Sequence, residues 1–120
     1  MSGSIVDVLH FALDGLTEQQ NAVANNLANA QTPGFTATDV SFEQSLSQAL
    51  ASPGQASAQV SASPSSAPAA SDGNNVDVAN EMVAAVQTSL EYKTMSELLN
   101  AQFMLVQGAA GGSFQAGNAP

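Results

Sequence analysis

The stretch NNLANAQTPGF, residues 25–35, decides how the first half of the chain is organised. Thr32 precedes a proline and is therefore biased away from the helical region of backbone space. Pro33 and Gly34 fit the two central positions of a type II turn, because proline presets the first and glycine accepts a positive φ at the second. The stretch therefore predicts a helix that ends abruptly in a turn, with the aromatic Phe35 just beyond it.

The asparagines are the second unusual feature of this region. Asn21, Asn25 and Asn29 are spaced four apart and share one helical face, with Asn26 beside them. One interpretation is a polar face in water, although asparagine is a poor helix former. The other is a face buried on assembly, because an amide donates and accepts without charge and a buried asparagine fixes packing register. We favour the second interpretation, in which Asn25 and Asn29 make contacts between subunits.

Toward the N-terminus, apolar residues recur at spacings of three, four and seven from Leu9 to Ala30. This rhythm predicts an amphipathic helix of coiled-coil type over about residues 5–30, roughly 40 Å long at 1.5 Å per residue. Gly15 lies inside it and should cost about 1 kcal/mol relative to alanine. A helix of this length does not fit a compact chain of 120 residues, so we expect an elongated shape.

The remaining chain alternates predicted helix with segments that lack a helical pattern. Ser41 and Gln44 suit a capping box for a short helix that carries Phe42. Residues 51–71 are almost entirely Ser, Ala, Pro, Gln and Gly, which predicts a flexible linker. Asp77 is a good N-cap for a last helix over about residues 78–107, and glycines beyond it predict a frayed tail.

The predicted fold class is all-α. Long N- and C-terminal helices pair as an antiparallel coiled-coil-like hairpin and form one domain with a flexible Ser/Ala/Pro-rich middle. Two helices alone bury little apolar area, so we expect a marginal monomer that gains stability on assembly. The predicted segments are an N-terminal helix, turn and short helix at 1–50, a linker at 51–75, a C-terminal helix at 76–108 and a disordered tail at 109–120.

Composition excludes several classes of function. One basic residue stands against ten carboxylates, for a net charge of -9, so the groups that neutralise nucleic-acid phosphates or anionic lipids are missing. The chain has no cysteine, which excludes disulfides and thiolate metal sites. No apolar run approaches the roughly 20 residues of a membrane span. The first residues also lack the basic and apolar regions of a Sec signal, so export would need another route.

No group of residues indicates catalysis. His10 is the only histidine and has no nucleophile beside it, so a half-exposed helix residue is the expected interpretation. Asp7 and Asp14 flank it at helical spacing, but one histidine and two carboxylates are a weak metal signal. Lys93 and Glu97 are four apart and suit a surface ion pair. We therefore predict no enzyme, no cofactor, no metal and no small-molecule substrate.

Two longer motifs resemble those of a known family. AVANNLANAQTPGFTATDVSFEQSL, residues 22–46, resembles the N-terminal signature of flagellar rod, hook and hook-associated proteins, A-x-N-[IL]-A-N-x-x-T-P-G-[YF]. Its TDVSF part resembles the R-D-[VI]-D-F that follows the turn in the rod protein at the cell-proximal end. DGNNVDVANEMVAAVQTSLEYKTMSELLNAQF, residues 72–103, resembles the C-terminal D-G-N-x-V-D-x-x-x-E…Y pattern of that protein. Both motifs in the right order are more specific than either alone.

The resemblance implies a structural subunit of the bacterial flagellar basal body. Such proteins are exported unfolded by the flagellar type III apparatus and polymerise through their terminal helices into a rod that crosses the periplasm. The implied partners are copies of the chain, the rod proteins FlgC, FlgF and FlgG, the adaptor FliE and the membrane-embedded ring. One alternative is another rod protein such as FlgC, which usually carries an insertion before the Pro-Gly turn that is absent here. Another is a small secreted helical hairpin that binds a partner.

The predicted assembly residues are of two kinds. Apolar residues of the first helix pair with those of the last, and the amides and the turn contact other subunits. The apolar set is Leu9, Leu16, Val23, Leu27, Met82, Val86, Leu90, Tyr92, Leu99 and Phe103. The second set is Asn25, Asn29, Thr32, Pro33, Gly34 and Phe35.

Overall fold

The computed structural model describes residues 2–51 and 60–118. Most of these residues are helical: α1 is Ser2–Ala28, α2 is Phe42–Ala51 and α3 is Val78–Asn118. Two short strands lie between the helices, β1 at Thr38–Val40 and β2 at Ala62–Pro64. The molecule measures 73 × 26 × 14 Å, so the elongated shape expected from the helix lengths is confirmed. Within the described ranges, no helix is long and apolar enough to span a membrane.

The two terminal helices pack along each other. Gln19 of α1 donates from Nε2 to Thr88 Oγ1 of α3 at 2.7 Å. Closer to the start of α1, the rings of His10 and Phe103 meet edge to face with their centroids 6.5 Å apart. Later positions in α1 thus contact earlier positions in α3.

The start of α3 follows the sequence prediction. Asn80 N–H donates to Asp77 Oδ1 at 3.1 Å, and Glu81 N–H donates to the Asp77 carbonyl oxygen at 2.9 Å. Asp77 is therefore the N-cap, as its side-chain type predicted.

The end of α3 differs from the prediction. The helix continues past residue 107 to Asn118, so the backbone of the predicted disordered tail is helical up to that residue. A glycine ends a helix most readily by adopting a left-handed conformation, and among the described glycines only Gly34 and Gly73 have a positive φ. A helical glycine costs only about 1 kcal/mol, which weakens a helix without terminating it.

The apolar core lies mainly between α1 and α2. Phe42 is 1% exposed, and its ring lies against Gly15, where a Cβ atom would come within 2.6 Å of Phe42 Cδ1. Val60 packs against the same cluster from the segment before β2. Gly15, which has a low helix propensity, therefore leaves room for the Phe42 ring. The buried apolar residues around this contact are Val8, Phe11, Ala12, Leu16, Phe42 and Ala49.

α3 contributes less to this core than its apolar residues suggested. Met95 packs against the cluster, but Met82, Val86 and Leu90 are 59–61% exposed. The predicted packing of these three residues against α1 within the chain is wrong. Apolar residues occur on several sides of α3, so spacing alone does not identify the side that meets α1. That side carries the buried Thr88.

Part of the middle segment has regular structure that the sequence did not predict. β2 pairs antiparallel with β1, in the register Thr38 with Pro64 and Val40 with Ala62. The backbone supplies the attraction, since the side chains of β2 are exposed, and no apolar residue is needed for such a pairing. Part of the linker predicted at 51–75 is thus structured. Residues 52–59 of that linker lie outside the described residues.

Candidate functional site

The Pro-Gly turn has the geometry that the sequence predicted. Phe35 N–H donates to the Thr32 carbonyl oxygen at 3.2 Å, which closes a four-residue turn around Pro33 and Gly34. Gly34 has a φ of 74°, the value required at the third position of a type II turn. The predicted turn is confirmed.

The loop before α3 docks on this turn through its backbone. Gly34 N–H donates to the Asp72 carbonyl oxygen at 2.8 Å, and Asn75 N–H donates to the Phe35 carbonyl oxygen at 3.2 Å. Gly73, with a φ of 85°, brings the backbones so close that an added Cβ atom would lie 3.2 Å from Gly34 Cα. Two segments almost forty residues apart in sequence therefore pair in space. The turn at 32–35, the loop at 72–75 and Asn26 together form what we name the turn junction.

Asn74 closes the junction from the loop side. Its side chain is 6% exposed, and Nδ2 donates to the carbonyl oxygens of Asn29 at 2.9 Å and Thr32 at 2.7 Å. Both oxygens lie in the segment just after α1, and each also accepts from a backbone N–H there, from Thr32 N–H at 3.0 Å for Asn29 and from Phe35 N–H at 3.2 Å for Thr32. Asn75 fixes the next segment, because its Oδ1 accepts from Ala37 N–H and its Nδ2 donates to Ser65 O at 3.1 Å. The loop thus holds the segment that follows α1 and anchors the chain around β1 and β2.

Asn26 closes the junction from the helix side and is fully buried. Its Oδ1 accepts from Thr38 N–H at 2.9 Å, and its Nδ2 donates to Thr38 O at 3.0 Å, so the amide pairs with β1 as a backbone would. Nδ2 also donates to Glu81 Oε1 of α3 at 3.1 Å. One side chain therefore joins α1, β1 and α3.

The amides predicted to contact other subunits have mostly local partners in the single chain. Asn25 is exposed, and Asn29 donates from Nδ2 to the Asn25 carbonyl oxygen at 2.9 Å. Asn29 Oδ1 accepts from Thr32 Oγ1 at 3.1 Å. The sequence reasoning missed Asn26 as the buried amide. The available signal was its spacing of three from the buried Val23, which places both on the side of α1 that faces the core.

The predicted apolar residues divide by helix. On α1, Leu16 and Val23 are buried, and Leu9 and Leu27 are half-buried. On α3, Leu99 is half-buried, whereas the other members of the set are 42–61% exposed: Met82, Val86, Leu90, Tyr92 and Phe103. We name one exposed surface of α3 the outer face, and it consists of Val83, Val86, Gln87 and Leu90.

Glu81 of α3 borders the turn junction through the hydrogen bond that it accepts from Asn26. Burial raises the pKa of its carboxyl group above the ordinary value of 4.5, the hydrogen bond from Asn26 opposes that change, and the nearby Asp39 and Asp77 raise the pKa further. A raised pKa in the folded chain means that ionisation of Glu81 weakens folding. Its contribution is therefore most favourable at low pH and is lost as the pH rises from 4.5 through the folded pKa.

We expect Glu81→Gln to raise the stability of the chain near neutral pH and to reduce the loss of stability that occurs as the pH rises from 4.5 to neutral. Glutamine keeps an oxygen that can accept from Asn26 and carries no charge. The measurement is the midpoint of folding induced by trimethylamine oxide, an osmolyte that favours burial, at both ends of this pH range. Glu97→Gln, at an exposed position of the same helix, is the control. An equal response of both variants to pH would contradict the conclusion that ionisation of Glu81 weakens folding.

The site offers hydrogen bonds and packing rather than reactive chemistry. Among residues 2–51 and 60–118, no three His, Cys, Asp or Glu side chains are placed to hold a metal ion. His10 contacts Phe103 and lies far along α1 from the junction. These features define the class of protein: a mainly helical protein whose N- and C-terminal motifs meet in one junction held by hydrogen bonds of asparagine side chains and of the backbone.

Comparison with known proteins identifies the family within that class. A sequence profile described as "Flagella basal body rod protein" matches residues 11–36, which include the whole turn. "Flagellar basal body rod protein FlgB" of Aeromonas hydrophila is 35% identical over 107 residues, 77% of this chain and 81% of that relative. The protein of the same name from Bacillus subtilis (strain 168) is 30% identical over 115 residues, 85% of this chain and 88% of its own. The chain belongs to the FlgB family of flagellar basal body rod proteins.

Membership of this family establishes the general role. The chain is a structural subunit of the flagellar rod, it is not an enzyme, and it associates with other rod components in the basal body. Each of the two motifs that resemble the family contains one half of the turn junction. The motif at 22–46 contains Asn26 and the turn, and the motif at 72–103 contains the loop.

Proposed function

We propose that the chain forms the cell-proximal part of the rod, reaches the periplasmic space through the flagellar type III apparatus and polymerises there through α1 and α3. The observation that carries the proposal is the contrast between the turn junction and the outer face of α3. The turn junction satisfies its polar groups within one chain, whereas the outer face of α3 leaves apolar side chains in water. Exposed apolar faces of this kind are typical of surfaces that pack against a partner.

Within the subunit, α1 and α3 form an antiparallel hairpin. The order of their contacts supports this arrangement, since Gln19 meets Thr88 and the earlier His10 meets the later Phe103. The hairpin presents Asn25 and the exposed turn residues at one end and the outer face of α3 along one side. Asn25, Asn29 and the turn at 32–35 then make contacts between subunits without losing the hydrogen bonds of the junction.

The proposed partners follow from the position in the rod. They are further copies of the chain, the rod proteins FlgC, FlgF and FlgG, the adaptor FliE and the membrane-embedded ring. Low charge supports packing against many neighbours, because only 9% of residues are charged, compared with about 25% in an ordinary soluble domain. A small secreted hairpin outside the flagellum has less support, because the relatives in two distant bacteria carry the rod protein's name.

Deletion of the gene tests the proposal. We expect cells that keep the membrane-embedded ring, lack a rod and do not swim, and we expect the intact gene to restore both rod and swimming. Basal bodies purified from the complemented cells should contain the chain. Cells that swim normally after the deletion, or complete basal bodies without the chain, would contradict the proposed function.

A further inference from the structure

A cavity of about 340 Å³ opens between α1 and α3. The fully buried Leu16 and the half-exposed Tyr92 give it apolar surface. The other lining residues are uncharged and polar: Thr17, Gln20, Asn21, Thr88 and Ser89. A chain with a net charge of -9 thus keeps this cavity free of charged side chains.

Gln20 leaves one hydrogen bond of the cavity unmade. Its Oε1 is buried and has no partner among the described residues, while its Nε2 donates to Ser89 Oγ over a long 3.4 Å. Exchanging the oxygen and nitrogen of the amide does not solve the problem, because one of the two atoms is still left without a partner. Buried polar groups in folded proteins are almost always paired. The cavity is therefore suited to an occupant that brings both apolar surface and a hydrogen-bonding group such as an amide.

The outer face of α3 has both properties. Val83, Val86 and Leu90 are 56–61% exposed, and the amide of Gln87 lies exposed among them. At 3.6 residues per turn, the outer face points roughly 160° around the helix from the α3 residues that line the cavity. The two surfaces cannot meet within one chain, but they can meet between two chains.

We propose that the outer face of one copy docks into the cavity of the next copy. In this arrangement Val86 and Leu90 pack against Leu16 and Tyr92, and the Gln87 amide bonds to Gln20. The inference rests on the proposed function, since it names the contact through which copies polymerise.

Two features favour a second copy as the occupant. Strongly acidic copies can approach each other most easily where neither surface is charged, and neither the cavity nor the outer face carries a charged residue. The two surfaces are also different patches of one molecule, which makes the contact heterologous. A heterologous contact repeats from copy to copy and generates a ring or an open helical filament, as a rod requires.

Disulfide cross-linking in cells tests the contact, because the chain has no cysteine of its own. Thr17→Cys lies at the rim of the cavity, and Gln87→Cys lies on the outer face. We expect oxidation of assembled rods to give dimers, trimers and larger species from the chain that carries both cysteines. Each single variant should stay monomeric. The matched control combines Thr17→Cys with Ser96→Cys, which is exposed on α3 but lies off the outer face, and it should give no ladder.

The outcomes separate this contact from the proposed function. Cells that assemble rods and swim with both cysteines, yet give no ladder on oxidation, would overturn the contact and leave the rod function intact. Dimers from either single variant, a ladder from the control pair, or cross-links only to a rod protein of another mass would also overturn it. Absence of the wild-type chain from rods would overturn the proposed function itself. If the two cysteines prevent swimming under reducing conditions, Asn21→Cys with Val83→Cys makes the same test.

Discussion

Asn26→Ala is expected to destabilise the chain by about 2–4 kcal/mol, because each buried polar group left without a partner costs about 1–3 kcal/mol. The substitution removes the hydrogen bonds to Thr38 N–H and to Thr38 O at once, and it leaves Glu81 without its donor. Since these bonds join α1, β1 and α3, the turn junction should open as a unit. The measurements are the midpoint of osmolyte-induced folding and swimming of deletion cells that carry the variant. We expect a large shift of the midpoint and no swimming.

Asn25→Ala is the matched control for this prediction. Asn25 is the neighbouring residue of the same helix and has the same chemistry, but it is exposed, and its side-chain oxygen accepts a long hydrogen bond of 3.4 Å from Asn29, just beyond the end of α1. We expect its effect on folding to stay within about 0.5 kcal/mol, as is usual for surface substitutions. A loss of swimming with unchanged folding in Asn25→Ala would support its proposed contact with another subunit. Equal shifts of the folding midpoint in both variants would contradict the role assigned to Asn26.

Gly15→Leu should destabilise the chain by about 1–3 kcal/mol or more, the usual cost of overfilling a packed core. A Cβ atom at residue 15 would already lie 2.6 Å from Phe42 Cδ1 and 2.8 Å from Val60 Cγ2. Phe42 is 1% exposed, so displacement of its ring would disturb the packed residues around it. The same folding midpoint measures the effect.

Two further variants decide whether the Phe42 contact is the cause. Gly108→Leu makes the same change in α3, where an added Cβ atom meets nothing within 4 Å, so we expect helix propensity to make it neutral or stabilising. The double variant with Gly15→Leu and Phe42→Ala should lose less stability than the sum of the two single variants, because alanine at residue 42 leaves the space that leucine at residue 15 needs. Strictly additive losses in the double variant would show that residue 15 acts in another way.

The features of this fold that depend only on residues close together in sequence could be predicted from the sequence. The turn at 32–35 and the N-cap Asp77 follow from the conformational preferences of single residues, and both are where the sequence placed them. The sequence motifs also identified the flagellar rod family. The local rules, however, gave no sign that the loop at 72–75 docks on the turn at 32–35, since that pairing is made by backbone groups and by Asn74.

Long-range pairing explains the differences between prediction and structure. Asn25 and Asn26 are chemically identical and about 100° apart on the helix, and Asn26 is the one on the side of α1 that faces Thr38 and Glu81. β2 forms in a segment without an apolar pattern because its backbone pairs with that of β1. Apolar spacing also failed on α3, where the side that meets α1 carries Thr88 and the apolar residues of the outer face remain exposed.

In the proposed rod, the turn junction is completed within each subunit, and the outer face of α3 joins one subunit to the next. Electron cryo-microscopy of purified basal bodies, at a resolution that shows side chains, tests both parts in one map. We expect each Asn26 to contact Thr38 and Glu81 of its own chain, and we expect Val86 and Leu90 to be buried against a neighbouring subunit. A map in which Asn26 contacts another chain, or in which the outer face of α3 borders solvent in the assembled rod, would contradict the claim.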